Sequence, residues 1–417
     1  MAPTPYPRGP APRALLAALL AIAGVSATSP ALAFFETSGD THEADLRGFL
    51  RFASTTTLNP DEPALLYPHD NDAQSLMILR LLSNAYLGDQ LSLELNAYQV
   101  LTSTTTFTLL DPPAYRSDAL TWTWNHDAEA TATAAVDRLA LAVTTDHLRL
   151  TVGRQAISLA ATYFFTPNDF FAPFSASDFF RAYKPGVDAA RADVTVAEFT
   201  QLQVVGVMGY RPVEDGLDRP DLGRSAAVAR VSTVLGDSEL GVLGARTPFG
   251  YAVGADAQGT LFEWLGVRTE GHAFLPEDDL AAVEPEVAFT LEHLFESTLN
   301  VQWETFYHGA GTTDSERSLL SLQSADGPPQ RYFGRLYTAL GLSYELTPLL
   351  HASMIGLVNV LDPSAYTALY LLYSVSDEAE LALTGSVPVG RPAEGFVARS
   401  EFGLYPSSLM ADFRLTF

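Results

Sequence analysis

From Glu43 to Phe417 the dominant hydropathy pattern has a period of two residues, not the 3.6 of a helix. In ADLRGFLRF, Leu46, Leu50 and Phe52 share one face, and Asp45, Arg47 and Arg51 share the other. In TLNVQWETFYH, Leu299, Val301, Trp303 and Tyr307 oppose Asn300, Gln302, Glu304 and His308. Alternation of this kind reads as strands with one apolar and one polar face. Eighteen such segments are expected: 44–57, 73–87, 90–107, 130–145, 147–160, 188–198, 201–211, 223–235, 238–247, 249–258, 260–273, 280–292, 296–308, 331–346, 349–361, 364–375, 378–388 and 408–417. The connections alternate in length. Tight ones at 88–90, 145–147, 236–238, 347–348 and 376–378 are set against long ones at 58–72, 108–128, 161–187, 211–222, 309–330 and 388–407. Short turns at one end and long loops at the other are the plan of an all-β, transmembrane antiparallel barrel of about 18 strands, with 16 as the neighbouring even count. A soluble sandwich has no reason for that asymmetry.

The N-terminus agrees with export. Arg8 and Arg13 precede an apolar run from Leu15 to about Val25, and Ala31-Leu32-Ala33 has the form of a cleavage site. Residues 1–33 therefore read as a signal peptide, with the barrel occupying 34–417 from a new N-terminus at Phe34. The apolar run is shorter than the roughly 20 residues of a spanning helix. The chain has no cysteine, so thiol chemistry, disulfides and Cys metal sites are excluded. Acidic residues number 49 against 24 basic ones; removing Arg8 and Arg13 with the leader moves the net charge from −25 to −27. Nucleic acid is not an expected partner of such a chain.

If the apolar face meets lipid, the polar face lines the interior, because an arginine at mid-bilayer costs about 2–4 kcal/mol. The inward basic set is then Arg47, Arg51, Arg80, Arg138, Arg149, Arg191 and Arg230 from the first eight strands, with Arg414 from the last, which closure places beside the first. The inward acidic set is Glu284, Glu286, Glu304 and Glu345, from strands 12 to 14. One reading is a basic wall facing an acidic wall across a pore, giving a transverse field. The other is that the arginines pair with inward carboxylates such as Asp45, Glu94 and Asp193 and knit the barrel together.

Residues 163–184, YFFTPNDFFAPFSASDFFRAYK, hold seven Phe and two Tyr, broken by prolines and turn residues. The breaks make it a loop, and the rings cannot lie in water. Folding into the lumen as a constriction hides them, with Asp169, Phe170, Phe171, Asp178, Arg181 and Lys184 nearest the bore. The alternative buries the rings under neighbouring outer loops or in subunit contacts. Around this loop VGRQAI (152–157), PNDFFAP (167–173) and KPGVDAARADV (184–194) resemble the strand–loop–strand core of porin-like outer-membrane channels, a group that includes alginate-export-type barrels. SEFGLYPSSLMADFRLTF (400–417) resembles the terminal segment of related barrels. Arg154 of the matching VGRQ falls on the lipid-facing parity, so either a bulge re-aims it or it lies at the rim. FRLTF, ending in Phe417, also resembles the signal that such barrels present to their assembly machinery.

Chemistry beyond transport is not signalled. The eight His are scattered, and neither G-x-S-x-G nor H-E-x-x-H occurs, so an enzyme is not expected. About ten residues separate Phe34 from the first strand, too few for the plug of an energised transporter. The acidic stretches at 214–221 and 276–279 lack EF-hand spacing and read as solvated loops. The resulting expectation is a passive channel in the outer membrane of a Gram-negative-type cell. It would pass small hydrophilic or anionic solutes, need no cofactor, and contact membrane lipid and the assembly machinery. Within the same barrel, an exporter of an anionic polysaccharide is the first alternative. A closed structural or surface-binding barrel is the second.

Overall fold

A computed structural model describes residues 35–39, 41–61, 67, 69–104, 115–127, 130–177, 183–213, 216–314, 316–319 and 332–417. The expected leader, and with it Phe34, lies outside the described residues, as do Asp178 and Arg181. Eighteen antiparallel strands close on themselves. They are β1 (His42–Leu58), β2 (Asn71–Leu87), β3 (Leu91–Thr104), β4 (Ala130–Thr144), β5 (Leu148–Gln155), β6 (Val187–Ala197), β7 (Thr200–Arg211), β8 (Arg219–Leu235) and β9 (Ser238–Thr247). They continue as β10 (Gly250–Leu261), β11 (Leu265–Pro276), β12 (Glu284–Leu294), β13 (Asn300–His308), β14 (Leu336–Thr347), β15 (Leu350–Asn359), β16 (Ser364–Ser374), β17 (Ala379–Val389) and β18 (Ser407–Thr416). Each strand pairs with its sequence neighbour, and β18 returns to β1 from Phe49↔Thr416 to Leu58↔Ser407. Closure pairs each of the eighteen barrel strands on both sides, which a barrel in lipid requires. Two further strands extend the sheet: Phe35–Gly39 along the start of β1, and Thr121–Asp127 beside the outer half of β4.

The seam between first and last strand is tightly drawn. Phe417 exchanges two backbone hydrogen bonds with Gly48, at 2.7 and 2.9 Å, and lays its ring over that residue. A Cβ on Gly48 would stand 2.7 Å from the ring and 2.8 Å from the Arg80 carbonyl, so only glycine fits.

The outer surface follows the alternation. Leu139, Leu141 and Val143 of β4, and Leu148, Leu150 and Val152 of β5, all point outward and are exposed. Val242 of β9 and Val253 of β10 are 60% and 65% exposed. A continuous apolar band around a closed barrel is a lipid-facing surface.

The inner surface departs from simple alternation. Val205 and Val207 of β7, Ala226 and Val228 of β8, and Leu243 and Ala245 of β9 are buried, opposite outward apolar neighbours such as Val204. These strands are apolar on both faces because something apolar fills the lumen beside them. That filling is the segment between β5 and β6.

β5 is shorter than the alternation predicts. It stops at Gln155, not at 160. Gly153 takes φ +123°, and a Cβ there would meet the Leu139 carbonyl at 2.2 Å. The chain then leaves the wall and turns inward. On the opposing β4, a register shift leaves Asp137 unpaired between Val136 and Arg138. Such a bulge re-aims side chains: Asp137 is buried, and Arg138 reaches Glu94 at 2.8 Å.

Candidate functional site

The aromatic segment crosses the lumen and packs against the wall on two sides. Ile157, Leu159 and Phe171 join the inward Val, Ala and Leu residues of β6–β10 and Phe274 of β11 in one cluster. Phe164 and Phe165 join Phe306, Tyr337, Ile355 and Phe402 in another, against β12–β15. Phe165 is wholly buried and stacks on Phe306, with centroids 4.9 Å apart and planes 10° from parallel. Phe170 lies 5.2 Å from the ring of His272. Burying each of these rings stabilises the infolded position by about 1.5–3 kcal/mol.

Two wall carboxylates hold the backbone of the segment. Glu304 of β13 is 0% exposed and accepts hydrogen bonds from the amides of Tyr163 (3.0 Å), Phe164 (3.1 Å) and Phe165 (2.6 Å), and from the Thr290 hydroxyl (2.7 Å). Glu270 of β11 accepts from the amides of Ala161, Thr162 (3.1 Å) and Asn168 (3.2 Å). Successive amides aimed at one point form a nest for an anion, and here the anion is a side chain of the wall. The loop thereby satisfies backbone groups that would otherwise be buried without partners.

The loop is also stapled to itself and to β4. Lys184 and Asp169 form a buried ion pair, and Arg138 donates to the Lys184 carbonyl at 3.2 Å. Arg154 sits where β5 leaves the wall and is 2% exposed. Its guanidinium bonds Asp188 at 2.7 and 3.0 Å, the Val136 carbonyl at 2.9 Å and the Ser117 carbonyl at 2.7 Å. Of the two sequence readings of Arg154, both have a share: the kink at Gly153 re-aims it, and it lies at the junction of wall and loops.

Of the eight inward arginines, seven have a carboxylate within ion-pair distance. Arg80 meets Asp137 at 2.9 Å, Arg138 meets Glu94 at 2.8 Å, and Arg191 meets Asp193 at 2.8 Å. Arg230 meets Asp256 at 2.6 Å and Glu239 at 3.0 Å, and Arg47 meets Asp45 at 3.0 Å. Arg51 pairs with Asp412, and Arg414 with Glu380. Arg149 stands across from Asp193 in the β5–β6 pair. Arg80 also lies over the rings of Tyr98 and Tyr183, at 5.0 and 4.7 Å. The four glutamates lie at different heights. Glu284 and Glu286 are near the long-loop end, and Glu286 is hydrogen-bonded to the His308 ring at 2.8 Å. Glu304 is beneath the loop, and Glu345 is near the short-turn end of β14.

Between the loop and the walls of β16, β17, β18 and β1 lies a cavity of about 510 Å³. Arg51, Glu380, Asp412 and Arg414 border it from the wall. Ala172, Pro173 and Phe174 border it from the loop, with Tyr183 and Tyr370 between. Phe170 and Phe171 face away from it, into the clusters described above, and Asp169 and Lys184 are buried against each other. The alternation did reveal Arg51 and Arg414. Glu380, Asp412 and Glu270 stand outside the acidic set that the alternation singled out, because nothing in the sequence says which inward carboxylates border open space. Among the described residues no cluster of three or more His, Asp or Glu side chains is arranged to hold a metal ion.

A closed 18-stranded barrel with an apolar outer band, long loops at one end and a loop folded into its lumen is a transmembrane barrel of the outer-membrane type. Solved structures that share this fold include OccAB3 of Acinetobacter baumannii, at TM-score 0.57 and 10% identity over 90% of this chain and 99% of that one. OccK9 (OpdG) of Pseudomonas aeruginosa matches at 0.56 and 10%, over 90% and 98%. The outer membrane protein OpdK of Pseudomonas aeruginosa matches at 0.54 and 11%, over 89% and 99%. At such identities the likeness is one of fold. No protein-family profile and no curated protein sequence matches the chain.

Proposed function

We propose that the chain is a passive channel of the outer membrane for small hydrophilic or anionic solutes, narrowed by the loop between β5 and β6. The observation that carries this reading is the cavity of about 510 Å³ left between that loop and the charged wall of β16–β18 and β1. The loop is fixed to the opposite wall through Glu270 and Glu304, so the space it leaves is a defined one. The arginines of β1–β8 and β18 and the glutamates of β12–β14 would set the field in the lumen. The fold shared with the outer membrane protein OpdK supports the location and a channel in place of an enzyme. Membrane lipid is the partner of the outer band. A leader over residues 1–33, a barrel over 34–417, and recognition of the C-terminal strand ending in Phe417 by the assembly machinery belong to the same proposal.

An exporter of an anionic polysaccharide would use an arginine ladder free of carboxylates, and the interleaved Asp and Glu partners weigh against it. Single-channel conductance in planar bilayers, with a salt-gradient reversal potential, tests the proposal. The wild type should conduct, and a deletion inside 164–180 should conduct more. A folded, heat-modifiable barrel that conducts in neither form would leave a structural or binding barrel instead.

A further inference from the structure

The wall of the narrowed bore carries two positive and two negative side chains in one compact patch. Arg51 of β1 and Arg414 of β18 are direct cross-strand partners, and Glu380 of β17 is the partner of Arg414 on its other side. Asp412 lies two residues before Arg414 on the same face of β18. Neighbouring strands are about 4.8 Å apart, and same-face residues along a strand about 7 Å, so the four charges fit within a patch on the order of 10 Å. They are joined as Arg51–Asp412 and Arg414–Glu380. Among the described residues the patch has no net charge. Among the described residues the facing edge of the loop is apolar at Ala172, Pro173 and Phe174 and polar at Ser177, and Leu372, Ala382 and Met410 continue the apolar surface along the wall.

From this juxtaposition we infer that the constriction is a subsite for zwitterionic solutes of amino-acid type with an apolar side chain, and that it disfavours net anions. The inference rests on the channel reading above and narrows its solutes to zwitterions within the hydrophilic class, against the anionic one. A carboxylate can be shared by the adjacent guanidinium groups of Arg51 and Arg414, which offer planar forks of donors. An ammonium on the neighbouring carbon then meets Glu380 or Asp412. The solute adds one charge of each sign, so the patch stays neutral with the solute in place. An anion of the same size brings its charge against two carboxylates and offers Glu380 and Asp412 nothing in return. A neutral patch also provides no long-range attraction that would concentrate anions at the bore. The apolar side chain lies against Phe174 and its neighbours, where burial is favourable.

The test is permeation into liposomes carrying the full barrel, with three probes of nearly equal size: phenylalanine, 3-phenylpropanoate as the anion, and phenylalaninamide as the cation. Potassium chloride conductance is recorded on the same preparation. The expected result is conductance with phenylalanine entering several-fold faster than either charged probe. Glu380→Gln combined with Asp412→Asn should make the anion fastest and shift the reversal potential toward chloride. Arg51→Gln combined with Arg414→Gln should favour the cation. A conducting wild type that passes the anion as fast as phenylalanine, or faster, overturns the inference and leaves the channel reading standing. A wild type that does not conduct overturns both. The wild-type comparison is decisive even where a double variant fails to fold.

Discussion

Glu304 shows how a residue can keep its place in a pattern while its role changes. By parity it faces the lumen, and it does; the loop then covers it completely. Its carboxylate is satisfied by three successive backbone amides and one hydroxyl, with no cation involved. Glu304→Ala should therefore release the loop and leave the barrel folded. Each orphaned amide costs about 1–3 kcal/mol. Hydrogen exchange at residues 163–165 should quicken by orders of magnitude, while the β13 ladder stays protected and single-channel current becomes noisier. Arg154 makes the complementary case. Arg154→Met strands the Asp188 carboxylate at the point where β5 leaves the wall, and losing one partner of a buried pair costs about 3–5 kcal/mol. Arg154→Lys should recover only part of this, because an ammonium cannot reach Asp188 and two carbonyls with a fixed fork. Urea unfolding midpoints of the three proteins in the same detergent check the order.

At the scale of elements, the loop between β17 and β18 is tied down by one buried acid. Glu401 accepts from the Asn359 amide at 2.9 Å and the Phe333 backbone at 3.3 Å, and Tyr337 donates its hydroxyl to it. Burial pushes its carboxyl up to about 7, against these hydrogen bonds. The folded value lies above the unfolded one, so the neutral acid is the form the loop prefers. Its contribution is full below pH 4.5 and is lost as pH rises through about 7. Protease resistance of residues 390–406 should accordingly fall between pH 5 and pH 8, and Glu401→Gln should flatten that dependence. The segment between β5 and β6 was legible as a buried loop because its rings left no place in water. Its landing points were not legible, since Glu270, Glu304 and the inward Val and Ala residues of β7–β9 are each ordinary strand residues until the loop arrives. The runs of apolar residues on both faces, such as Val204–Val205 and Ala226–Val228, were the available sign that these strands are covered on both sides.

For the whole molecule, closure decides stability. Strand pairing runs from β1 to β18 and back without using the loop, so deleting residues inside 164–180 should leave a heat-modifiable barrel. That barrel should unfold at lower temperature than wild type, because Val205, Leu243 and Phe306 then face lumen water. Gly48→Val attacks the seam instead. Its side chain would collide with the Phe417 ring and the Arg80 carbonyl, and the folded fraction recovered after refolding into lipid should drop sharply, as read from the heat-modifiable band on a gel.

The sequence by itself determined an even strand number of about 18, the antiparallel order, the lipid-facing side of the strands that alternate and the end that carries the long loops. All of these follow from a period of two and from turn length, which are local properties. The three-dimensional arrangement alone decided which inward charges meet, which lie under the loop, and which border the remaining space. Those outcomes depend on side chains brought together from strands far apart in the chain. Arg51 with Asp412, and Glu304 with the amides of residues 163–165, are pairings that no periodicity encodes.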